Sequence, residues 1–501
     1  MKRMHSERLT SMIRPQFAEF EQLCKTGNLV PMFMEIPGDL ETPLSAFLKI
    51  ENSANSFLFE SVEGGTKWAR YSFLGSDPRL LISFRNGSAK NQEGESERNL
   101  TGATDPTLLL KEIMDRFRPA LAPGLPDFFG GAVGFFGYDV VRGFEKIPNL
   151  AKPDPGFHDA WFMLTRDMIV FDNLLHKILL VTTVSPEECT STNAAYKQGC
   201  DRLKCFKERI GAPIPVRPSS GSKSKIKFEP NMTPENFTEI VHRAKHHIRA
   251  GDIIQVVLSQ RFQGEGDLDP LSVYRALRMI NPSPYMFLLR MGDESLVGSS
   301  PEVMVRAKNG EAVVRPIAGT RPRGETAEQD ERRCRELLAD PKEVAEHVML
   351  VDLARNDLGR IAAAGSVSVD QFKTVEKYSH VMHIVSNVRA KIAEGYNAFD
   401  VLRATFPAGT LTGAPKIRAM EIIEDLEPEH RGPYGGCVGY FSFTGSMDMG
   451  ITIRSVAMKG TRSYFQAGAG IVADSVAEKE YLETMSKAEA MRRAFAMPQE
   501  L

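Results

Sequence analysis

Lys177-Ile178-Leu179-Leu180-Val181-Thr182-Thr183-Val184, with Ala160-Trp161-Phe162-Met163-Leu164 shortly before it, is the stretch on which the fold class turns. Both runs are short and β-rich, and turn residues separate them where a parallel pair would need a crossover helix. Strand-like runs joined through turns recur along the chain. This argues for antiparallel sheet with flanking helices, an α+β chain, and against Rossmann-like alternation.

Working outward, a helix-like stretch runs from Pro186 to Ile210, and Gly211 to Lys225 is rich in Pro, Ser and Gly and poor in large apolar residues. That composition marks a linker. The chain divides into an N-terminal region, 1–208, a linker, 209–226, and a C-terminal region, 227–501. The C-terminal region opens with a helix from about Thr233 to Ala250, started by Thr233-Pro234 and stopped by Gly251-Asp252. One echo crosses the linker: Gly130-Gly131-Ala132-Val133-Gly134-Phe135-Phe136 resembles Gly435-Gly436-Cys437-Val438-Gly439-Tyr440-Phe441. Equivalent strands of a duplicated sheet, or convergence on a glycine-rich strand, both account for it.

With 501 residues there is room for more than one domain, and 42% hydrophobic with 25% charged content is that of an ordinary globular protein. Lys plus Arg (62) nearly balances Asp plus Glu (64), so no bulk field recruits nucleic acid or membrane. No apolar run is long enough to cross a bilayer, and no apolar core follows the basic start Met1-Lys2-Arg3 as in a secretory signal. A cytoplasmic enzyme is the expectation. The six cysteines show no C-x-x-C spacing and read as reduced thiols.

Two acidic segments carry candidate chemistry. Asp340-Pro341-Lys342-Glu343-Val344-Ala345-Glu346 and Ser475-Val476-Ala477-Glu478-Lys479-Glu480-Tyr481-Leu482-Glu483 each open like a helix, with Asp340 and Ser475 as N-caps and Glu343 and Glu478 as capping-box partners. Residues three apart share a helix face, so Glu343 with Glu346 and Glu480 with Glu483 project as pairs. Either helix alone reads more simply as a solvated face. Together, four carboxylates call for a hard, oxygen-binding cation that keeps some waters, Mg²⁺ rather than zinc. Gly468-Ala469-Gly470, between strand-like Ser463 to Gln466 and the second helix, offers backbone N–H groups to an anion.

Several stretches occur in an order that resembles the chorismate-utilising enzymes, and most closely the large subunit of the anthranilate synthases. They are Gly251 to Ser259, Ser300-Pro301-Glu302, Pro316 to Gly324, Asp352 to Asp357, Gly409 to Lys416 and Gln466 to Gly470, spanning about 230 to 490, with a weaker likeness from about 30 to 180. The resemblance implies large antiparallel β-sheets wrapped by helices, with strands from both regions able to share a sheet. It implies that chorismate and ammonia are the substrates and Mg²⁺ the cofactor.

Carried over by position, the resemblance makes Glu302 the general acid for the leaving hydroxyl and His383 the residue of pyruvate elimination, with Gln255 and Thr410 beside them. His380 stays open as an alternative to His383. Substrate falls to Gly319, Thr320, Tyr434, Arg454, Gly468, Ala469, Gly470 and Lys487, and the metal to Glu346 and Glu483 with Glu343 and Glu480 behind them. Relatives that add water place lysine where this chain has Gln255. Aminodeoxychorismate synthases, the alternative reading, place lysine where it has Ala318. Both differences favour ammonia as nucleophile and anthranilate as product.

Feedback control is implied by Phe57 to Ser61 and Asn281 to Phe287, which resemble the halves of a tryptophan-inhibition site with Ser61, Pro284, Tyr285 and Met286 as contacts. Glutamine hydrolysis needs an activated cysteine. Gly435-Gly436-Cys437-Val438-Gly439 has the outline of a glutaminase elbow but reads as a strand, and the sequence ends at Leu501 with no room for a fused glutaminase. A separate glutamine amidotransferase subunit, the second component of such synthases, is the expected partner. Gly409 to Lys416 lacks the order of a phosphate-binding loop, and His246-His247 has no matched zinc ligands.

Overall fold

A computed structural model describes residues 12–497 except 52–53, 62–69, 95, 101–104, 154–155, 216–225 and 379–380. Among the described residues two antiparallel sheets, one of 13 strands and one of 12, form the body. The first runs Ile13–Arg14, Val30–Pro37, Lys177–Val184, Asp167–Asp172, Tyr71–Ser76, Asn55–Glu60, Tyr285–Met291, Glu294–Ser300, Ser455–Lys459, Arg462–Ile471, Gln255–Glu265 and Glu229–Pro230, with Gly413–Ala414 also paired to Gln255–Glu265. The second runs Ile317–Pro322, Val381–Lys391, Glu311–Val314, Val303–Lys308, Met447–Ile451, Cys437–Ser442, Gly131–Phe136, Ala160–Leu164, Leu80–Arg85, Ser88–Glu93 and Ser96–Leu100, with Ser368–Lys377 beside Val381–Lys391. Ala160–Leu164 and Lys177–Val184 therefore lie in different sheets, because Asp167–Asp172 between them crosses over to pair with Lys177–Val184.

Both sheets are palindromes. Outward from the junction of Asn55–Glu60 with Tyr285–Met291, the N-terminal strands follow one another in the same chain order as the C-terminal strands do on the other side, and the second sheet repeats this about Gly131–Phe136 and Cys437–Ser442. Leu58 faces Leu288 at one junction and Gly134 faces Gly439 at the other. The glycine-rich echo is thus a pair of equivalent, adjacent strands. A β-carbon at Gly131 would sit 2.0 Å from the Phe441 carbonyl oxygen, and one at Gly436 2.0 Å from that of Phe136, so each strand uses its glycine against its copy. Duplication, rather than convergence, explains the repeat.

Three of the helices flanking the sheets are α1 (Thr192–Gly211), α2 (Pro341–Gly359) and α3 (Ala477–Ala496). Since α1 continues through Gly211, residues 209–211 belong to it and not to the linker. The stretch from Pro186 opens with a short 3-10 turn, Pro186–Glu188, before α1 begins. The helix Pro234–Ala250 is capped by the Thr233 hydroxyl, which accepts the Asn236 N–H, and ends at Gly251 with φ +82. Core side chains from both regions mix: Leu58, Leu74 and Ile169 pack in one cluster with Leu288, Val297 and Val456. No helix among the described residues is long and apolar enough to cross a membrane.

Candidate active site

The acidic residues come from α2 and α3. Asp340 caps α2 by accepting the Lys342 and Glu343 N–H groups, and Pro341 takes the first helical position. At α3 the expected cap is displaced. The helix starts at Ala477 behind Val476, while the Ser475 hydroxyl accepts the Val472 N–H and bonds to Glu480. Burial is the reason: Ser475 and Glu480 are 3% and 8% exposed, and each satisfies the other.

The two helices face one another across a cleft. Burial first, then the negative charge of Glu343 and of Glu483, raises the Glu346 carboxyl above its ordinary range, against Lys342 and Lys487. Glu480 is raised by burial and by Glu483. The remaining two carboxylates are engaged: Glu343 pairs with Arg321 at 3.1 Å, which also holds Asp340, and Glu483 pairs with Lys487 at 2.8 Å. Among the described residues no three Asp, Glu, His or Cys side chains converge as a preformed metal cage, so the four-carboxylate cluster expected from the sequence is looser than drawn. The donor set still fits Mg²⁺. Two half-repelling carboxylates on opposed helices are what an ion uses when waters and substrate oxygens complete its shell.

Below the cleft, Gln255–Glu265 and Arg462–Ile471 form the floor. Gly468-Ala469-Gly470 lie inside the second of these strands, opposite Ser259, Leu258 and Val257, and not between the strand and α3. Cross-strand pairing keeps the backbone extended, and the glycines serve instead as places of close approach. A β-carbon at Gly468 would meet the Tyr434 hydroxyl at 2.8 Å, and one at Gly470 the Gln255 amide nitrogen at 3.0 Å. Pairing with Ser455–Lys459 ends at Phe465, so alternate backbone groups of Ala467 to Ile471 face the cleft, and Lys487 donates to the Gly468 carbonyl at 2.8 Å.

Glu302 stands where these elements meet. Burial pushes its carboxyl up, and the Thr410 hydroxyl, donating at 3.2 Å, only partly offsets this, as do Arg454 and Lys487. A cavity of about 40 Å³ runs behind it, lined among others by Thr410, Leu353, Ala354, Arg315 and Asp357. On the adjoining wall His383 lies across from Thr320. Its Nδ1 is 2.9 Å from the Gly319 carbonyl, which can only accept, so Nδ1 carries the proton and Nε2 the lone pair. Burial lowers the His383 pKa and favours this neutral ring. Gly319 adopts φ +70 at a bulge, and a β-carbon there would press on Glu343 at 3.1 Å. His380 lies outside the described residues.

The structure thus gathers Glu302, Thr410, Gln255, Tyr434, Gly468 to Gly470, Arg454 and Lys487 beside Glu346 and Glu480, with Gly319, Thr320 and His383 on the adjoining wall. The inhibitor residues gather elsewhere. Met286 pairs with Glu60, which brings Ser61 alongside Pro284 and Tyr285 at the junction of the two halves. The Tyr285 hydroxyl is taken by Asp448 at 2.6 Å and Met286 is 1% exposed, leaving the backbone there as the available contact.

Sequence reading missed the buried Glu427–Arg431 pair. Arg431 donates to Glu427, to the Leu411 carbonyl and to the Val257 carbonyl, while Glu427 accepts from the Ser259 N–H and hydroxyl. It fixes the Thr410 loop to the floor strand. The only signal was a Glu and an Arg four apart just past a helix, which usually marks a solvated pair. Asp357 and Lys416 belonged to quoted motifs without a role; they form a second buried pair at 2.7 Å, tying α2 to the segment after Thr410.

Residues 57–493 match the family described as chorismate binding enzyme, and the chain belongs to that family. Over nearly its whole length it resembles proteins named anthranilate synthase component 1. That of Acetivibrio thermocellus is 46% identical over 96% of this chain and 98% of its own. That of Pseudomonas putida is 45% identical over 96% and 98%. The crystal structure of anthranilate synthase component I from Streptococcus pneumoniae superposes with a TM-score of 0.76 at 38% identity, over 91% of this chain and 98% of that one. The menaquinone-specific isochorismate synthase of Escherichia coli shares the fold at a TM-score of 0.69 and 18% identity, over 96% and 100%.

Proposed function

We propose that this chain converts chorismate and ammonia to anthranilate and pyruvate, with Mg²⁺, as the synthase component of an anthranilate synthase on the route to tryptophan. Ammonia adds at the ring carbon beside the carboxylate-bearing carbon as the hydroxyl leaves, and loss of pyruvate then makes the ring aromatic. Glu302 protonates the departing hydroxyl, and the buried site that raises its pKa keeps the acid form ready. His383, neutral with Nε2 free of the proton, takes the ring proton in the elimination. Arg454 and Lys487 hold the substrate's second carboxylate through charge-assisted bonds, with the Tyr434 hydroxyl beside Gly468. Mg²⁺, bound by Glu346 and Glu483 with Glu343 and Glu480 behind, would neutralise the ring carboxylate as negative charge develops.

The observation that carries this reading is Glu302, a half-buried carboxyl whose pKa desolvation raises, facing two cations and Glu346, with the glutamine amide of Gln255 over the floor and no lysine there. Neutral ammonia is nucleophilic enough to add as it stands, whereas water would need a base at that place to remove its proton. Tryptophan is proposed to inhibit at Ser61 and the backbone of Pro284, Tyr285 and Met286 by favouring a conformation that binds chorismate poorly. A glutamine amidotransferase subunit is proposed to deliver the ammonia. Anthranilate fluorescence from chorismate, Mg²⁺ and an ammonium salt tests the activity; consumption of chorismate without the fluorescent product would point to the aminodeoxychorismate reaction.

A further inference from the structure

The duplicated sheets carry a second copy of the pocket's framework. Leu74-Gly75-Ser76-Asp77-Pro78-Arg79 leads into Leu80–Arg85 as Val297-Gly298-Ser299-Ser300-Pro301-Glu302 leads into Val303–Lys308. The registers fix the match. Phe57 faces Gly75 as Phe287 faces Gly298, and a β-carbon on either glycine would strike that phenylalanine, at 2.6 and 2.2 Å. Leu74 faces Ile169, which faces Leu180, as Val297 faces Val456, which faces Phe465. Counted from these pairs, Arg79 takes the place of Glu302, Asp167 that of Arg454 and Thr183 that of Gly468. α1 and α3 are each 20 residues long, and Arg202 falls where Lys487 falls. It repeats the same bond: Arg202 donates to the Thr183 carbonyl at 3.3 Å, Lys487 to that of Gly468 at 2.8 Å.

The chemistry of the copy has changed. Acid and base have exchanged positions, and Arg166 adds a third guanidinium, so Arg79, Arg166 and Arg202 stand against Asp167 and Glu188. Asp167 is already engaged by the Thr182 hydroxyl at 2.5 Å. The Arg79 side chain is only 8% exposed, donates to Ser185 and the Thr183 carbonyl and pairs with Glu188, yet its Nε has no hydrogen-bond partner; that of Arg166 has none either, its nearest counter-charge being the Asp167 carboxylate at 3.6 Å. With Arg166 paired to Asp167 and Arg79 to Glu188, three guanidiniums still stand against two carboxylates. Burial, with the repulsion of Arg166 and Arg79, lowers the pKa of Arg202. Glu188 reaches in from the surface, its side chain 61% exposed, and can swing out.

We propose that this N-terminal counterpart binds a small oxyanion, a carboxylate or phosphate group, held by Arg79, Arg166 and Arg202 in the position that the Glu188 carboxylate otherwise fills. The site is independent of the reaction assigned to the other half. The test is calorimetric titration of the full chain with inorganic phosphate and, separately, with malonate, at constant ionic strength. A Lys487→Gln background keeps the other pocket from contributing. One saturable site is expected, with Arg202→Gln weakening it about tenfold and Glu188→Gln, which removes the internal competitor, tightening it about tenfold. The preferred titrant tells carboxylate from phosphate. Should Arg202→Gln fail to fold, Glu188→Gln on the exposed side decides alone. Absence of saturable binding at millimolar concentrations, or equal affinity with and without Glu188, would overturn the site.

Discussion

In the proposed reaction Glu302 acts only while protonated, and the expected pH dependence of turnover follows from that. Its raised pKa means that the acid form persists above the ordinary carboxyl range and is lost as pH climbs through the raised value. At constant free ammonia, kcat is therefore expected to fall on the alkaline side of that pKa. Glu302→Gln should flatten this limb and lower kcat far more than it raises KM, because the proton is needed only as the carbon–oxygen bond breaks. A change confined to KM would make Glu302 a positioning group. For the metal, Glu346→Gln and Glu483→Gln are each expected to abolish turnover at limiting Mg²⁺ with unchanged folded signal by circular dichroism. Wild-type rates in both would remove them from the ion's shell. At this scale the motifs around Glu302, His383 and Gln255 could be picked out of the sequence, and the structure brings these three residues to one region. The Glu427–Arg431 pair was not, because its meaning lies in three carbonyl and hydroxyl partners distant in the chain.

Elements read well where local chemistry settles them and poorly where a neighbour does. The starts of α2 and of Pro234–Ala250 were legible because Asp340 and Thr233 cap through bonds two or three residues away. Ser475 misled because burial gave its hydroxyl to Glu480, and Gly468-Ala469-Gly470 read as a connection between strand and helix although cross-strand pairing with Val257 to Ser259 makes it strand. Two elements invite measurement. Gly439 lies in the central strand of its sheet, where a β-carbon would fall 2.0 Å from the Asp448 carbonyl oxygen. Gly439→Ala should cost about 3 kcal/mol in urea unfolding; an unchanged midpoint would mean that the junction yields. Lys416→Met strands the Asp357 carboxylate, whose pKa burial already raises, and should cost roughly 3–5 kcal/mol.

For the whole molecule, the linker is a break in the chain and not in the fold. Each sheet passes through a junction of N- and C-terminal strands, so residues 227–501 alone would leave Tyr285–Met291 and Cys437–Ser442 as bare edges. That fragment is expected to aggregate when expressed alone and to become soluble when co-expressed with residues 1–208; a folded monomer from 227–501 would contradict the shared sheets. The glycine echo made the duplication visible in the sequence, but the palindromic strand orders rest on long-range pairing that no local pattern encodes. The halves also meet at the proposed tryptophan site, where Ser61→Arg should relieve inhibition with activity retained.

Ammonia as the nucleophile is the claim on which the rest depends. Cys437 is fully buried in its strand and its thiol is pushed up by burial, so it cannot hydrolyse glutamine. The direct measurement incubates the purified chain with chorismate, Mg²⁺ and isotope-labelled ammonium, or with amide-labelled glutamine, and reads the mass of the aromatic product. Labelled anthranilate from ammonium, and none from glutamine until an amidotransferase subunit is added, is the result expected. Unlabelled hydroxylated product, a para-amino product, or labelled anthranilate from glutamine with the chain alone would contradict it.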